Sequence, residues 1–399
     1  MPRGFRAGAV AVGIKSSGRP DLGVLATTGG PASVAAAFTA NTLPAAPVRL
    51  SRAHLAASGG RAAAILATSG CANAATGVPG ERDQAELARI VADALGLPAE
   101  LTLALSTGLI GTRLPVVRLR EPIVELAGRL STTDEALAAF AEQICTTDSR
   151  PKLASVRLDH DGGIAVSGVA KGVGMIHPRM ATMLAVVLTD ARVQAPVLQA
   201  ILDRAVERTW NQLTIDGDTS TNDTVFLLAS GAAGGDLVEA GSPASARLAA
   251  AIEAVARSLA RQQAADGEGA TALLTCQVSG ATDDPAARAV ARAVVASSLV
   301  KAAVHGHDPN WGRVAAAIGN ARVDGAPVAV AESRLAIAIG GVPVFHGEPL
   351  AFDRAAVTER MSAPEVVIRV DLRLGSGIGE AFGCDLSPEY VLENSAYSS

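Results

Sequence analysis

The feature that most constrains this chain is the alternation of two kinds of apolar segment. Short runs rich in β-branched residues, AAAILAT (62–68), LTLALS (101–106), TMLAVVLT (182–189), VFLLA (225–229), LLTCQV (273–278), LAIAIG (335–340) and EVVIRVDL (365–372), have strand length and composition. Several are apolar on both faces, the pattern of sheets covered on both sides. Between them lie longer Ala- and Arg-rich segments with helical periodicity. In 195–212, Val197, Leu198, Ile201, Leu202, Ala205 and Val206 form one stripe, and 83–96, 244–262 and 284–300 behave alike. The interleaving predicts an α/β fold of layered sheets sandwiched by helices, with some strands close enough in sequence to pair as hairpins.

With 399 residues, the length by itself suggests two or three domains, yet no repeat and no low-complexity linker divides the chain. Apolar residues make up 49% and aromatic ones 3%, so the core must be built from Ala, Val, Leu and Ile. So few aromatic rings also argue against a base-stacking surface, and a net charge of −5 argues against the basic footprint of a nucleic-acid binder. Lysine occurs four times only, at Lys15, Lys152, Lys171 and Lys301. Cys71, Cys145, Cys276 and Cys384 are scattered, without a C-x-x-C pair, and read as small buried thiols in a reducing compartment. Lys15 interrupts the first apolar run too early for a signal peptide. The longest uncharged stretch, Leu22 to Val48, carries glycines, prolines and threonines that disfavour a membrane helix. The expectation is a cytoplasmic protein with no membrane and no nucleic-acid partner.

One segment departs from the alternation. AKGVGMIHPRM (170–180), with Gly172, Gly174 and Pro178, reads as an irregular loop that delivers Ala181 and Thr182 to the head of a strand. A threonine hydroxyl is a poor nucleophile unless a base takes its proton, and one solution is a threonine that is itself a chain N-terminus. That requires a cut before Thr182, and Ala181 is small enough to let the hydroxyl reach its own upstream carbonyl. On these two residues alone, a packed strand threonine and an N-terminal nucleophile both stand.

The run KGVGMIHPRMATML (171–184) is similar to the cleavage-site signature of the ornithine acetyltransferase family, the glutamate N-acetyltransferases of arginine biosynthesis. TSGCANAATG (68–77), STGLIG (106–111), TTDSRPK (146–152), DGDTSTNDT (216–224), DGEGATALL (266–274), SLVKAAVHGHDPNWGRVAAAIG (298–319) and ENSAYSS (393–399) follow in the family's order. The resemblance implies a fold like that of N-terminal-nucleophile hydrolases, though wired differently. It also implies self-cleavage between Ala181 and Thr182 into an α chain (1–181) and a β chain (182–399) that interleave in one catalytic unit, associated as α2β2.

By the same resemblance, Thr182 takes acetyl from N2-acetyl-L-ornithine and passes it to L-glutamate by a ping-pong route, with its own α-amine as base. Thr107 and Gly108 form the oxyanion hole. Thr146, Lys171, Glu268, Asn394 and Ser399 bind substrate, so the C-terminus folds back into the site. No metal or prosthetic group is implied, and acetyl-CoA stays open as a second acetyl donor. His177 and Arg179, where the family often has Asn before Met-Ala-Thr, and Thr68, where Asn is frequent, depart from the pattern without removing a catalytic position.

His177, His305 and His307 lack metal-ligand spacing and read as structural, and DPNWGR (308–313) reads as a turn with a packed aromatic. Three rival readings remain at this point. They are a related self-cleaving aminopeptidase, a secondary-metabolism acetyltransferase paralogue, and a non-catalytic metabolite-binding protein that kept the scaffold.

Overall fold

The computed structural model describes residues 1–159, 163–177 and 183–396. From the N-terminus run β1 (Phe5–Val10), β2 (Leu22–Thr27), β3 (Ala32–Phe38), α1 (Ala46–Ala57), β4 (Arg61–Ala62) and β5 (Ala64–Cys71). Then follow α2 (Gly77–Leu95), β6 (Thr102–Leu109), α3 (Val116–Ala127), α4 (Asp134–Gln143), β7 (Lys152–Arg157) and β8 (Ala165–Lys171). The second half holds β9 (Leu184–Thr189), α5 (Ala195–Arg208), β10 (Thr224–Ala229), α6 (Pro243–Ala265), β11 (Leu273–Ala281), α7 (Asp284–Ala296), α8 (Ser298–His305) and α9 (Trp311–Gly319). After the small hairpin β12 (Arg322–Val323) and β13 (Ala326–Pro327) come β14 (Ala336–Ile339), β15 (Val342–His346), α10 (Arg354–Met361), β16 (Glu365–Asp371), β17 (Gly377–Cys384) and α11 (Pro388–Ala396).

Two sheets face each other. The first has strand order β1-β2-β5-β6 and the second β4-β3-β10-β9-β8-β7. Leu25, Ile65, Leu103 and Leu105 of the first meet Val186, Leu188, Phe226 and Leu228 of the second in one buried cluster. Because successive strand residues point to opposite faces, Ala185, Val187, Val225 and Leu227 of the same strands turn the other way, onto α5 and α6. The outer face of the first sheet is covered by Leu87, Ile90 and Val91 of α2 and Leu119 and Ile123 of α3. The result is helix, sheet, sheet, helix, the layered α/β arrangement expected from the alternation. Each Leu, Val or Phe so buried contributes about 1.5–3 kcal/mol relative to exposure.

The third sheet, β15-β14-β16-β11-β17, packs on α7, α9 and α10 around its own cluster of Val, Ala and Ile. The division into two or three domains suggested by length does not describe the sandwich. In its second sheet, β8 pairs with β9 and β3 pairs with β10, so strands on both sides of residues 181 and 182 share one sheet.

Three local expectations are corrected. The single helix expected over 284–300 is broken at Ser297, whose backbone is extended and whose hydroxyl accepts from Val300 N to cap α8. The apolar stripe runs through that break, so periodicity alone hid it. The helix expected over 195–212 ends at Arg208, where Thr209 leaves helical geometry and a short 3-10 turn places Trp210 against Gln263. Finally, Ala170 and Lys171 belong to β8, so Lys171 is a buried strand end and not a loop residue.

All four cysteines are free and buried. Burial pushes the Cys145 thiol up to about 12, helped by the Asp148 charge, and raises those of Cys276 and Cys384. No thiol should therefore react with a disulfide reagent at pH 8 in the folded protein, whereas all four should react in denaturant. A fast-reacting thiol in the native protein would contradict this packing.

Candidate active site

The site forms where three strand ends and two loops converge. At the end of β6, the parallel register with β5 slips: Gly70 pairs with Gly108, while Cys71 faces both Thr107 and Leu109. Gly108 has φ of +124°, and a Cβ there would lie 2.3 Å from the Gly70 carbonyl carbon. Only glycine permits this approach. Asn222, in the DGDTSTNDT motif, holds the two loops together through Nδ2, which donates to Ala72 O at 2.7 Å and Ser106 O at 2.8 Å.

Lys171, closing β8, reaches across to this corner. Its Nζ donates to Thr107 Oγ1 at 3.2 Å and Thr146 Oγ1 at 2.9 Å, and lies 3.9 Å from Asp148 Oδ2. Asp148 is almost fully buried. Burial alone would raise its carboxyl, but the charges of Lys171 and Lys152 and the Gly172 N–H hold it down at about 2. Opposite Lys171 stands Glu268, whose Oε1 accepts from Thr147 Oγ1 at 2.8 Å and whose Oε2 accepts from Asn394 Nδ2 at 2.9 Å. Asn394 lies on α11, so the C-terminal segment does reach the site.

Thr107, Gly108, Thr146, Lys171, Glu268 and Asn394 thus line one cavity of about 80 Å³, together with Thr147, Gly174 and Asn222. Larger clefts exist. One of about 720 Å³ runs past Arg288 and Arg292, but the small cavity is where an ammonium, a carboxylate and hydroxyls converge. Ala181, Thr182 and Ser399 lie outside the described residues. Met183, which follows Thr182 in the chain, donates its N–H to Asp223 Oδ1 at 2.9 Å. Asp223 is fully buried; burial pushes its carboxyl well above the ordinary range against the opposing Met183 N–H and Lys171 charge.

The glycine loop that leads up to residue 177 is tied down by Asp216. Its carboxylate accepts from Met175 N and, at 2.8 Å, from Ile176 N, with Met175 at φ +53°. Tyr390 of α11 donates to the same carboxylate at 3.3 Å.

Asp148, Asp216, Asn222 and Asp223 were not singled out from the sequence. Each sits inside a motif quoted above, but nothing in linear order marks it as facing the site. Two of the histidines are hydrogen-bonded, His177 to Thr214 and His305 to Asp385. Trp311 stacks on Phe345 at 5.1 Å, the packed aromatic expected of DPNWGR. Among the described residues there is no group of three or more His, Cys, Asp or Glu placed to hold a metal ion, and no helix long and apolar enough to cross a membrane.

A model of the ArgJ family matches residues 6–399. The chain belongs to the ArgJ family. The arginine biosynthesis bifunctional protein ArgJ of Thermus thermophilus is 46% identical over 399 residues, covering 100% of this chain and 99% of its own length. That of Thermosynechococcus vestitus is 45% identical over 414 residues, covering 100% of this chain and 97% of its own. A crystal structure of the ArgJ protein from Bacillus halodurans is 40% identical with a TM-score of 0.51, over 53% of this chain and 98% of that one. ArgJ membership confirms the resemblance read from the motifs and disfavours the aminopeptidase, the secondary-metabolism paralogue and the binding-protein readings.

Proposed function

We propose that this ArgJ-family chain is a self-processing acetyltransferase that moves acetyl from N2-acetyl-L-ornithine to L-glutamate through an acetyl-Thr182 ester. The observation that carries the reading is the cavity itself. It sets Lys171 and Glu268, a cation and an anion suited to an amino acid, beside Thr107 and Gly108, with Met183 anchored on Asp223 one residue after the nucleophile.

In the processing step, Thr182 Oγ attacks the Ala181 carbonyl, the peptide shifts to an ester, and water cleaves it. This leaves chains 1–181 and 182–399 and a free α-amine. That amine, with an ordinary pKa of roughly 7.7–8.0, takes the Oγ proton as the hydroxyl attacks the acetyl carbonyl. Thr107 and Gly108 stabilise the oxyanion. Collapse expels the ornithine nitrogen, which takes the proton back from the ammonium. The α-amine of glutamate then attacks the ester, and N-acetylglutamate leaves.

Lys171, Thr146, Glu268, Asn394 and Ser399 hold the amino-acid portion. The sharing of one sheet across residues 181 and 182 supports chains that stay together after the cut. The Bacillus halodurans comparison is consistent with this, since a chain matched over 98% of its length spans about the share of this one that 182–399 occupies. The relatives' name, bifunctional, supports acetyl-CoA as a second donor to glutamate. An α2β2 assembly in the cytoplasm, with no prosthetic group, completes the reading.

Denaturing electrophoresis should show two fragments, the second beginning Thr-Met-Leu-Ala. Incubation with N2-acetylornithine and glutamate should yield N-acetylglutamate without acetyl-CoA. An intact chain, or peptide hydrolysis in place of transfer, would overturn the reading.

A further inference from the structure

The four residues Thr146, Thr147, Asp148 and Ser149 each reach a different part of the site. Thr146 accepts from Lys171, and Thr147 donates to Glu268. Asp148 Oδ1 accepts from Lys152 Nζ at 2.5 Å and Gly172 N at 2.9 Å, and its Oδ2 accepts from Thr146 N at 3.0 Å. Ser149 donates through N, at 3.1 Å, and through its hydroxyl to Asp266. Lys152 closes the figure by donating to Asp266 Oδ2 at 2.5 Å. Asp266 stands two residues before Glu268, in a turn whose Gly267 packs so closely on Cys384 that a Cβ would lie 2.7 Å from its sulfur.

The side chains of Lys152 and Asp148 are fully buried, and those of Lys171 and Asp266 are 3% and 7% exposed. Two cations and two carboxylates therefore sit out of water in one balanced group. Such a group gains little over apolar packing, but removing one member leaves an uncompensated buried charge. It is an expensive way to stabilise a fold and an effective way to fix where charges stand.

We propose that Asp148 is a positioning residue, the centre of a buried ionic strut that fixes the spacing between Lys171 on one side and, through Lys152 and Asp266, Glu268 on the other. The strut touches no substrate in this reading. It sets the separation of the cation and the anion that receive the amino acid, and so selects the length of the substrate between them. The inference rests on the proposed roles of Lys171 and Glu268.

The test is a double-mutant cycle in the full-length protein with Asp148→Asn and Lys171→Met, reading kcat/KM for transfer and the melting temperature. Asp148→Asn should lower kcat/KM about tenfold or more, since breaking a buried pair is costly. In the Lys171→Met background, the same change should cost clearly less than it does in the wild type, because one of the two arms it acts through is gone. The melting temperature lost in Asp148→Asn should be partly regained in the double variant, which leaves no unpaired lysine. Should Asp148→Asn prove insoluble, a soluble double variant supports the strut. Asp266→Asn should raise KM for the amino acid at least about fivefold, by more than it lowers kcat.

Effects that multiply across the cycle, a double variant less stable than either single, or Asp148→Asn within about twofold of wild type would overturn the inference. Absence of transfer by the wild-type protein would instead overturn the proposed reaction, which keeps the two failures distinct.

Discussion

Thr182→Ala should remain a single uncut chain of 399 residues with no acetyl transfer above background. In the proposed chemistry, one hydroxyl does both jobs: it attacks the Ala181 carbonyl to free the chain end and then carries the acetyl group. Removing it removes both steps together, and loss of a covalent nucleophile costs on the order of 10⁴-fold or more. Thr182→Ser should retain part of each activity, because a hydroxyl and, after the cut, an α-amine remain. Electrophoresis and an N-acetylglutamate assay on the same preparations decide the matter. Two fragments from Thr182→Ala would sink Thr182 as the processing nucleophile. Processing lost but transfer retained would mean that the acetyl group is carried elsewhere.

The second large effect is expected at Gly108. Gly108→Ala places a Cβ 2.3 Å from the Gly70 carbonyl carbon and 2.6 Å from Cys71 N, at a φ of +124° that side chains rarely adopt. The contact is with backbone, which cannot swing aside as a flexible side chain can. Strained backbone costs about 1–3 kcal/mol, and overpacking typically a further 1–3 kcal/mol. The β5–β6 corner must therefore part, carrying Thr107 away from Lys171. Transfer should fall at least about 100-fold, the scale of a lost oxyanion donor, with a melting point several degrees lower. Gly111→Ala offers the control: it also has positive φ, but nothing lies within 4 Å of the added Cβ, so it should cost only the backbone strain. Equal losses in the two variants would rule out the close approach as the cause.

The scarcity of lysine takes on meaning in three dimensions. Lys152, Lys171 and Lys301 are all buried, and Lys15 is half-buried, donating to the carbonyls of Pro20 and Gln143. Burial lowers the Lys15 ammonium to about 8. The exposed cations among the described residues are thus arginines, while lysine is kept for interior positions where a compact ammonium meets carbonyls, hydroxyls or carboxylates.

Legibility differed between fold and site for a physical reason. The strands at 62–68, 225–229 and 365–372 and the helices at 83–96 and 244–262 were readable because burial on a face repeats every two or 3.6 residues. The break at Ser297 was not, because a cap that keeps the apolar stripe in phase leaves the pattern intact. Thr107, Gly108, Lys171 and Glu268 are legible through motif resemblance, whereas Asp148 and Asp223 lie in the same kind of motif without any local mark of their role. Nothing local tells a buried carboxylate from a solvated turn residue.

What the sequence alone determined is the layered α/β plan, the family and the order of its motifs, since all of these are written as local period or residue identity. What only the tertiary structure decided is which polar groups meet. Thr147 touches Glu268 from 121 positions away and Asn394 touches it from 126, while Lys152 reaches Asp266 across 114. Those pairings, and the lowered carboxyl of Asp148, depend on burial and on neighbours that only the packed sheets bring within reach.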